Sequence, residues 1–192
     1  MKKWLSLFLT LALTLSLAAC GSAPADHAAA APEEGKVLVA YFSWSGNTQE
    51  MATYLAQQTG GDLLELQPET PYPTDYNQCG EVALAERDSN ARPAIANLPE
   101  DLSQYDTVLV GYPIWWHTAP MLIGTFLEHY DWTGVAVYPF SQSASMDTTQ
   151  FDQSMTFVRE SAASATVHDG LFARPGDTET MDAYLAQNGL AG

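Results

Sequence analysis

Residues 42–48, FSWSGNT, decide the fold. They follow a short apolar run, KVLVAY, and precede a run with helical periodicity, QEMATYLAQQTG. A β-favouring run, a turn rich in Ser and Gly, and an amphipathic run in direct succession predict a strand-turn-helix unit. The helix is predicted over residues 47–59, because its apolar residues share one face and two glycines follow it.

The same alternation continues to the C-terminus. It predicts further strands over residues 62–67, 106–114, 135–140 and 165–173, and further helices over 75–88, from about 118, over 151–162 and over 177–187. Alternating apolar strands and helices predict an α/β fold, a doubly wound parallel sheet with helices on both faces. Ligands of such sheets bind at the carboxyl ends of the strands, where the strand order reverses.

Two details of the helices are specific predictions. Thr118 is expected to cap the third helix, with Pro120 tolerated in its first turn. In the second helix, Tyr76, Cys79 and Ala83 are expected to face inward, because they recur at helical spacing.

The N-terminal part of the chain is predicted to lie outside the folded domain. Residues 1–19 have two lysines followed by a long apolar run, as in an export signal peptide. Residues 17–21, LAACG, resemble the lipobox of bacterial lipoproteins, which predicts that Cys20 is lipidated; the alternative is an ordinary secretory signal with a chance cysteine. Residues 20–35 are rich in Ala and Pro and are predicted to be a flexible tether. One globular domain is then expected over residues 36–192.

Charge narrows the classes of partner. After removal of Lys2 and Lys3 with the signal, 5 basic and 23 acidic residues remain, so the formal charge is 5 − 23 = −18. This argues against a nucleic acid partner and leaves the lipid as the only predicted contact with the membrane. The acidity either keeps an exported protein soluble or steers it toward a basic protein partner. Only Cys79 remains beside Cys20, so no internal disulfide is expected.

The turn between the first strand and the first helix is a candidate anion site. The hydroxyls of Ser43, Ser45 and Thr48, the amide of Asn47 and the N–H groups around Gly46 would surround an anion at the positive end of the helix dipole. The turn has no Lys or Arg and matches neither the P-loop nor the G-x-G-x-x-G pattern. A mononucleotide with a single terminal phosphate therefore fits better than a nucleoside triphosphate. The alternative is a turn that only caps its helix.

Two further strand ends carry residues suited to a planar ligand. Residues 111–121, GYPIWWHTAPM, place two adjacent tryptophans after the third strand, and residues 141–149, SQSASMDTT, form a small polar segment after the fourth. Adjacent tryptophans point in different directions, so at least one is expected to be exposed or to flank a planar ligand. The alternative is that both belong to the core.

The paired motifs YFSWSGNT and GYPIWW-x-TAPM resemble those of the flavodoxin family, and the similarity runs from about Lys36 to the C-terminus. It implies a five-stranded parallel sheet in the order 2-1-3-4-5 and FMN as the cofactor. It also implies three sets of cofactor-binding residues. The FMN phosphate would contact Ser43, Trp44, Ser45, Gly46, Asn47 and Thr48. The isoalloxazine would be flanked by Pro113, Ile114, Trp115 and Trp116. Its far edge would lie near Ser141, Gln142, Ser143, Ala144 and Ser145.

Three more residues have open roles. The resemblance includes residues 85–93, AERDSNARP, in which Arg87 and Arg92 either lie near the anionic cofactor or hold a structural ion pair. His117 stands where relatives are expected to have a small residue, and it is either a proton donor near the ring or an exposed loop residue. No metal-ligand spacing and no nucleophile–base pair is evident, so no metal and no catalytic residue is predicted.

The resemblance implies an electron-transfer protein, and the lipobox-like residues 17–21 predict that it is exported and lipid-anchored on the extracytoplasmic side of the membrane. Stacked aromatic rings and many carboxylates disfavour an anionic reduced flavin, so a low potential for the second electron is expected. The partners would be redox proteins. Flavodoxins act as monomers, although exposed tryptophans would also suit a dimer contact. Two alternatives remain: an FMN-dependent oxidoreductase that passes electrons from NAD(P)H to a quinone-type acceptor, and a non-redox ligand-binding lipoprotein.

Overall fold

The computed structural model describes residues 35–192, so the predicted signal peptide and nearly all of the predicted tether lie outside the described residues. The elements follow one another along the chain as strands and helices. They are β1 (Lys36–Tyr41), α1 (Asn47–Thr59), β2 (Asp62–Glu65), α2 (Tyr76–Asp88), β3 (Tyr105–Pro113), α3 (Met121–His129), β4 (Ala136–Gln142), α4 (Thr148–Ser161), β5 (Thr166–Val167), β6 (Leu171–Phe172) and α5 (Thr178–Asn188).

The strands form one parallel sheet in the order β2-β1-β3-β4-β5, with β6 also paired to β4. This confirms the predicted doubly wound α/β fold. The strand order reverses beside β1, because the chain adds β2 on one side of it and β3 on the other. The register places Tyr41 of β1 opposite Gly111 of β3, and Pro113 of β3 opposite Gln142 of β4. The loops that follow these three strands therefore leave the sheet side by side.

The predicted fifth strand is interrupted. It was expected to run over residues 165–173, but it forms two short strands, β5 and β6, that both pair with β4. The carbonyls of Val135, Val137 and Ser141 accept bonds from this edge. Pro139 lies between them and has no N–H to donate, so the ladder is broken opposite it.

Both faces of the sheet are covered by helices, as predicted. Alternate residues of β1 point to opposite sides: Leu38 and Ala40 belong to one buried cluster, and Val39 and Tyr41 to another. The first cluster includes apolar residues of α3 and α4, and the second includes residues of α1 and α5. Such two-sided burial explains why the central strands are nearly continuous apolar runs.

Helices α3 and α4 do not start where predicted; α4 begins at Thr148, three residues before the predicted start at residue 151. Helix α1 has the predicted bounds and ends at Gly60 in the left-handed conformation, with φ 64°. The prediction that Thr118 caps α3 is wrong: α3 begins at Met121 after Pro120, without a side-chain cap. Thr118 instead exchanges two backbone hydrogen bonds with Trp115 across a tight turn. None of the helices in residues 35–192 is long and apolar enough to cross a membrane.

Candidate functional site

The loops after β1, β3 and β4 border an open cleft of about 860 Å³, and helix α2 forms its other wall. Seven of the fifteen predicted site residues line the cleft: Trp44, Ile114, Trp115, Trp116, Ser143, Ala144 and Ser145. The others are not among its described lining. Ser43 and Ser45–Thr48 lie in the turn before α1 and in its first residues. Pro113, Ser141 and Gln142 are buried at the ends of their strands.

The N-terminus of α1 has unused hydrogen-bond donors. Gly46 precedes the helix with φ 89°, and no side chain caps it. The first helical bond runs from Glu50 N to Gly46 O at 3.0 Å, so the three preceding N–H groups have no acceptor within the helix. The only buried side-chain oxygen or nitrogen without a hydrogen-bond partner in the described residues is Oγ1 of Thr48, which is 1% exposed. Such an arrangement is suited to binding an anion.

Trp44 links the turn before α1 to the segment that precedes α2 and lines the cleft. Its indole N–H donates to the carbonyl oxygen of Pro73 at 2.9 Å, which ties the turn to the segment before α2. Its ring meets Tyr76 edge-on, with centroids 6.3 Å apart. Tyr76 is 78% exposed, so the prediction that it faces inward is wrong, whereas Cys79 and Ala83 are buried as predicted. Tyr76 lies in the first turn of α2, at the mouth of the cleft.

Trp115 belongs to an aromatic cluster behind the cleft. Its ring lies edge-on to Phe42 at 5.4 Å and to Tyr72 at 5.0 Å, with interplanar angles of 86° and 85°. Phe42 and Tyr72 also contact each other, with centroids 5.5 Å apart. Trp115 therefore lines the cleft while most of its packing comes from the protein.

Trp116 and His117 form the tip of a strained turn. The N–H and C=O of Trp115 and Thr118 pair with each other at 2.9 and 3.0 Å, and the two residues between them have φ values of 49° and 66°. A two-residue turn of the I′ type needs positive φ at both positions, and Asn-Gly is the usual pair there. Trp and His adopt this conformation at a cost of about 1–3 kcal/mol each.

Helix α2 holds the strained turn in place. The indole N–H of Trp116 donates to Gly80 O at 2.8 Å, and Arg87 Nη1 donates to Trp116 O at 3.3 Å. The Arg87 guanidinium also lies over the Trp116 ring, 5.8 Å from its centroid, while pairing with Asp88. Trp116 is nevertheless 46% exposed, so the prediction that at least one of the two tryptophans is exposed is confirmed.

Arg92 has a different role from Arg87. Its Nε and Nη2 donate to the two carboxylate oxygens of Glu128 at 2.8 and 2.6 Å. Its Nη1 donates to the carbonyls of Asn90 and Ala91. Arg92 therefore holds the loop after α2 against α3, which is the structural alternative considered for it.

The loop after β4 presents small polar groups to the cleft. Ser143 Oγ accepts from Met146 N at 3.0 Å and lies 3.3 Å from Ser145 Oγ, so it shapes the turn before α4. Ser141 lies within β4, one residue beyond the predicted end of the strand, and its hydroxyl donates to Tyr112 O at 2.7 Å. Ser141 therefore has its hydroxyl committed to the neighbouring strand.

Two titratable groups of helix α2 are shifted toward their neutral forms. Burial raises the pKa of Glu86, although the hydrogen bond that it accepts from Tyr72 at 2.8 Å partly offsets the shift. Burial also raises the pKa of the Cys79 thiol, so the thiolate is disfavoured at neutral pH. Within residues 35–192, no group of three or more His, Cys, Asp or Glu side chains is placed to hold a metal ion.

Sequence reasoning did not find the wall that α2 contributes. Its members include Tyr76, Gly80 and Leu84, which follow one another at intervals of four residues along one side of the helix. The sequence offers no signal for this wall, because Tyr76 shares its helical spacing with Cys79 and Ala83, and that spacing predicts a side chain that faces the core.

Comparison with known proteins agrees with this architecture. The flavodoxin family profile matches residues 36–184. A protein from Bacteroides eggerthii DSM 20697, provisionally designated a flavoprotein, is 33% identical over 80% of this chain and 97% of its own, with a TM-score of 0.72. A similarly designated protein from Bacteroides uniformis ATCC 8492 is 31% identical over 79% and 98%, with a TM-score of 0.70.

A third solved structure is a flavoprotein from Lactobacillus acidophilus NCFM in complex with FMN. It is 25% identical over 77% of this chain and 99% of its own, with a TM-score of 0.65. A search of curated proteins returned no significant match. Because the family profile covers most of the chain and the solved relatives match almost over their full lengths, the chain belongs to the flavodoxin family.

Proposed function

We propose that the protein binds FMN, with the phosphate at the N-terminus of α1 and the isoalloxazine in the cleft. The observation that carries this proposal is the buried, unpartnered hydroxyl of Thr48 beside the uncapped helix start. A buried polar group without a partner is unfavourable unless a ligand satisfies it. The flavoprotein from Lactobacillus acidophilus, crystallised with FMN, supports the same cofactor.

The residues of this turn fit a single phosphate without a basic side chain. Ser45 and Asn47 are exposed and Thr48 is buried, so the turn offers polar groups both at the surface and beneath it. Hydrogen bonds from neutral donors to a phosphate oxygen are charge-assisted and short. The positive end of the α1 dipole adds to them, as in other phosphate sites at helix starts.

The aromatic residues would hold the ring in two different ways. Trp115 is packed edge-on against Phe42 and Tyr72, so it offers a wall that the core supports. Trp116 is tied to α2 at its indole nitrogen and at its backbone carbonyl, so its position depends on that helix. Bound FMN supplies one- and two-electron transfer, and these residues orient its ring and exclude water from one side.

We further propose that the protein carries electrons between redox partner proteins. The cleft opens to solvent between the exposed side chains of Tyr76 and Trp116, which suits a small and transient interface. The formal charge of −16 for the chain favours basic partners through electrostatic steering. Described residues lining the cleft include no Lys or Arg, which disfavours NAD(P)H as the electron donor.

The location of the protein is a separate part of the proposal. We propose that Cys20 is lipidated and anchors the protein on the extracytoplasmic side, which the sequence LAACG at residues 17–21 supports. Cys20→Ala should release the protein from the membrane or leave its precursor unprocessed, because the acidic domain has no other means of adhesion. Fractionation of labelled cells measures this. A variant that is processed and still membrane-bound would contradict the anchor.

Titration of the apoprotein with FMN and with riboflavin tests the cofactor assignment. We expect FMN to bind at least about a hundredfold more tightly, because two hydrogen bonds to a charged group contribute about 1.5–3 kcal/mol each. Riboflavin has the same ring and lacks only the phosphate. Equal affinities would place the phosphate elsewhere, and no binding of either would refute the cofactor.

A further inference from the structure

We propose that Arg87 is a positioning residue for the FMN site. It keeps the turn of residues 115–118, the Trp116 turn, in its strained conformation, so that this part of the cleft wall is formed before the cofactor binds. Arg87 is not among the described lining residues of the cleft, whereas Trp116 is, so Arg87 acts through Trp116. This inference rests on the proposed binding of FMN and names a residue outside the cleft that sets its affinity.

The Trp116 turn needs support from outside itself. Its two central residues, Trp116 and His117, have φ values of 49° and 66°, which residues other than Gly and Asn rarely adopt. The two backbone bonds between Trp115 and Thr118 are those of any two-residue turn of this type, so they do not offset the additional cost of these side chains. Without further contacts, negative φ values would be favoured at both central positions.

Arg87 binds the group whose orientation defines the turn. Trp116 O belongs to the central peptide, between the two residues with positive φ, and it accepts from Arg87 Nη1 at 3.3 Å. Turn types differ in the orientation of this peptide, so the bond favours the observed type. The same guanidinium lies over the Trp116 ring, 5.8 Å from its centroid, which adds a cation–π attraction. One side chain thus holds both the backbone and the ring of Trp116.

Asp88 orients the Arg87 guanidinium. Its Oδ1 accepts from Arg87 Nε at 3.0 Å and from Arg87 Nη2 at 2.7 Å, which leaves Nη1 for Trp116 O. Asp88 is the last residue of α2, where the helix dipole disfavours a negative charge, and the pair with Arg87 offsets that cost. The carboxylate also weakens any direct attraction between Arg87 and an anionic ligand, because the two charges of the pair oppose each other.

A preformed turn raises the affinity for the cofactor. If the turn relaxed in the free protein, only the fraction of molecules with Trp116 in place would be ready to bind, and the apparent affinity would fall by that fraction. The indole bond to Gly80 O at 2.8 Å marks the position of Trp116 when the turn is formed. The hydrogen bonds of Arg87 are all to protein groups, so they stabilise this position without a ligand.

A double-mutant cycle with FMN tests the role of Arg87. Arg87→Gln should weaken FMN binding about tenfold, because the turn loses its hydrogen bond and its cation–π contact. In the His117→Gly background the same substitution should weaken binding by less than about twofold, because glycine adopts a positive φ without strain. Arg92→Gln is the matched control and should leave the affinity unchanged, since Arg92 pairs with Glu128 away from the cleft. An equal loss in both backgrounds, as direct electrostatic attraction would give, or no loss in either would overturn the proposal.

Hydrogen exchange of the indole N–H groups tests the turn in the apoprotein. NMR follows each indole signal, and Trp116→Phe identifies that of Trp116 by its absence. In Arg87→Gln the Trp116 indole should exchange at least about threefold faster, because its bond to Gly80 O opens more often. Trp132 is the internal reference: it is 1% exposed, and its indole donates to Leu127 O at 2.7 Å, so its exchange should be unchanged. Faster exchange of both indoles would show an effect on global stability, and faster exchange of neither would show no effect on the turn; either result would overturn the proposal.

The two measurements separate this proposal from the proposed function. If the parent protein binds FMN and Arg87→Gln binds it as tightly, only the role of Arg87 is refuted. If the parent does not bind FMN, the cofactor assignment is refuted, and the role of Arg87 in the site is refuted with it. The indole exchange of the apoprotein then still shows whether Arg87 holds the turn, because that measurement does not depend on a ligand.

Discussion

The two adjacent tryptophans after β3, Trp115 and Trp116, have different surroundings. Trp115 faces an aromatic cluster in which Phe42 and Tyr72 meet its ring edge-on, so the protein itself completes its contacts. Trp116 stands on a turn with positive φ, remains half-exposed, and is held by contacts to α2. Trp115 therefore supports the fold, whereas Trp116 is held by the fold in a strained position beside the cleft.

The helix starts show the same difference. Helix α5 is capped by the preceding Asp177, whose carboxylate accepts bonds from the N–H and hydroxyl of Thr180 at 3.2 and 2.9 Å. Helix α1 follows Gly46 without such a cap, and the hydroxyl of Thr48 is buried without a partner. The groups that the protein leaves unsatisfied lie at the carboxyl edge of the sheet, where a doubly wound fold binds its ligand.

The largest expected effect is on the two tryptophans. Trp115→Ala should lower the free energy of unfolding of the apoprotein by about 3 kcal/mol, because it removes a ring packed against two others. Trp116→Ala should change it by less than about 1 kcal/mol, because the side chain is half-exposed and the turn is strained. Urea unfolding of both apoproteins measures this. Equal losses would mean that Trp116 is a core residue and that the contrast between the two is false.

The next expected effect is at the start of α1. Thr48→Val should weaken FMN binding about 10- to 100-fold, since one hydrogen bond to a charged group contributes about 1.5–3 kcal/mol. The stability of the apoprotein should not fall, because the hydroxyl has no partner in the described chain. Titration with FMN and urea unfolding measure the two quantities.

Thr53→Val is the matched control for that substitution. Thr53 lies on the same helix, and its hydroxyl donates to Gln49 O at 2.8 Å on the exposed side. It should leave FMN affinity unchanged. A loss of apoprotein stability in Thr48→Val that matches its loss of FMN affinity would show that the hydroxyl serves the fold instead.

A smaller effect is expected at the capped helix. Asp177→Ala should lower the free energy of unfolding by about 0.5–2 kcal/mol, because α5 loses the cap of its first turn. FMN affinity should be unchanged. Thermal unfolding and FMN titration of the variant measure the two quantities. A fall in FMN affinity would contradict the idea that the start of α5 serves only stability and the start of α1 serves binding.

The architecture and the turn before α1 could be predicted because each depends on local sequence. The apolar strands, the bounds of α1 and the Ser/Gly turn before it all follow from residues that are neighbours in the chain. The interruption of the last strand depends on Pro139, which is distant in sequence from the residues that it leaves unpaired. Its effect appears only when β4 and the edge strands lie side by side.

The α2 wall and the role of Thr118 could not be predicted for a related reason. Thr118 has the chemistry of a helix cap, but the pairing of its backbone with Trp115 determines its conformation. Tyr76 shares its helical spacing with Cys79 and Ala83, yet the start of α2 lies beside the Trp44 turn and not over the core. In both cases a tertiary contact overrides a valid local preference.

The smallest expected effect concerns the two arginines after α2. Arg87 holds the Trp116 turn, whereas Arg92 forms a two-pronged ion pair with Glu128 away from the cleft. The hydrogen bonds from Arg92 lower the pKa of the Glu128 carboxyl below its ordinary value. Because the folded-state pKa is lower than the unfolded value of about 4.3, the pair stabilises the protein above that pH. This contribution is lost as the pH falls through the folded-state pKa.

Glu128→Gln should therefore lower the free energy of unfolding at pH 7 by only about 0.2–1 kcal/mol, because the pair is solvent-exposed and screened. The loss should disappear at a pH well below 4, where both proteins lack the charge. Glu100→Gln is the control, because Glu100 is exposed and belongs to none of the ion pairs of the described chain. Both substitutions remove one negative charge from the protein. Urea unfolding of both variants at pH 7 and near pH 3 measures the difference. If Glu128→Gln matches Glu100→Gln at pH 7, the ion pair contributes nothing measurable, and Arg92 holds its loop through the carbonyls of Asn90 and Ala91 alone.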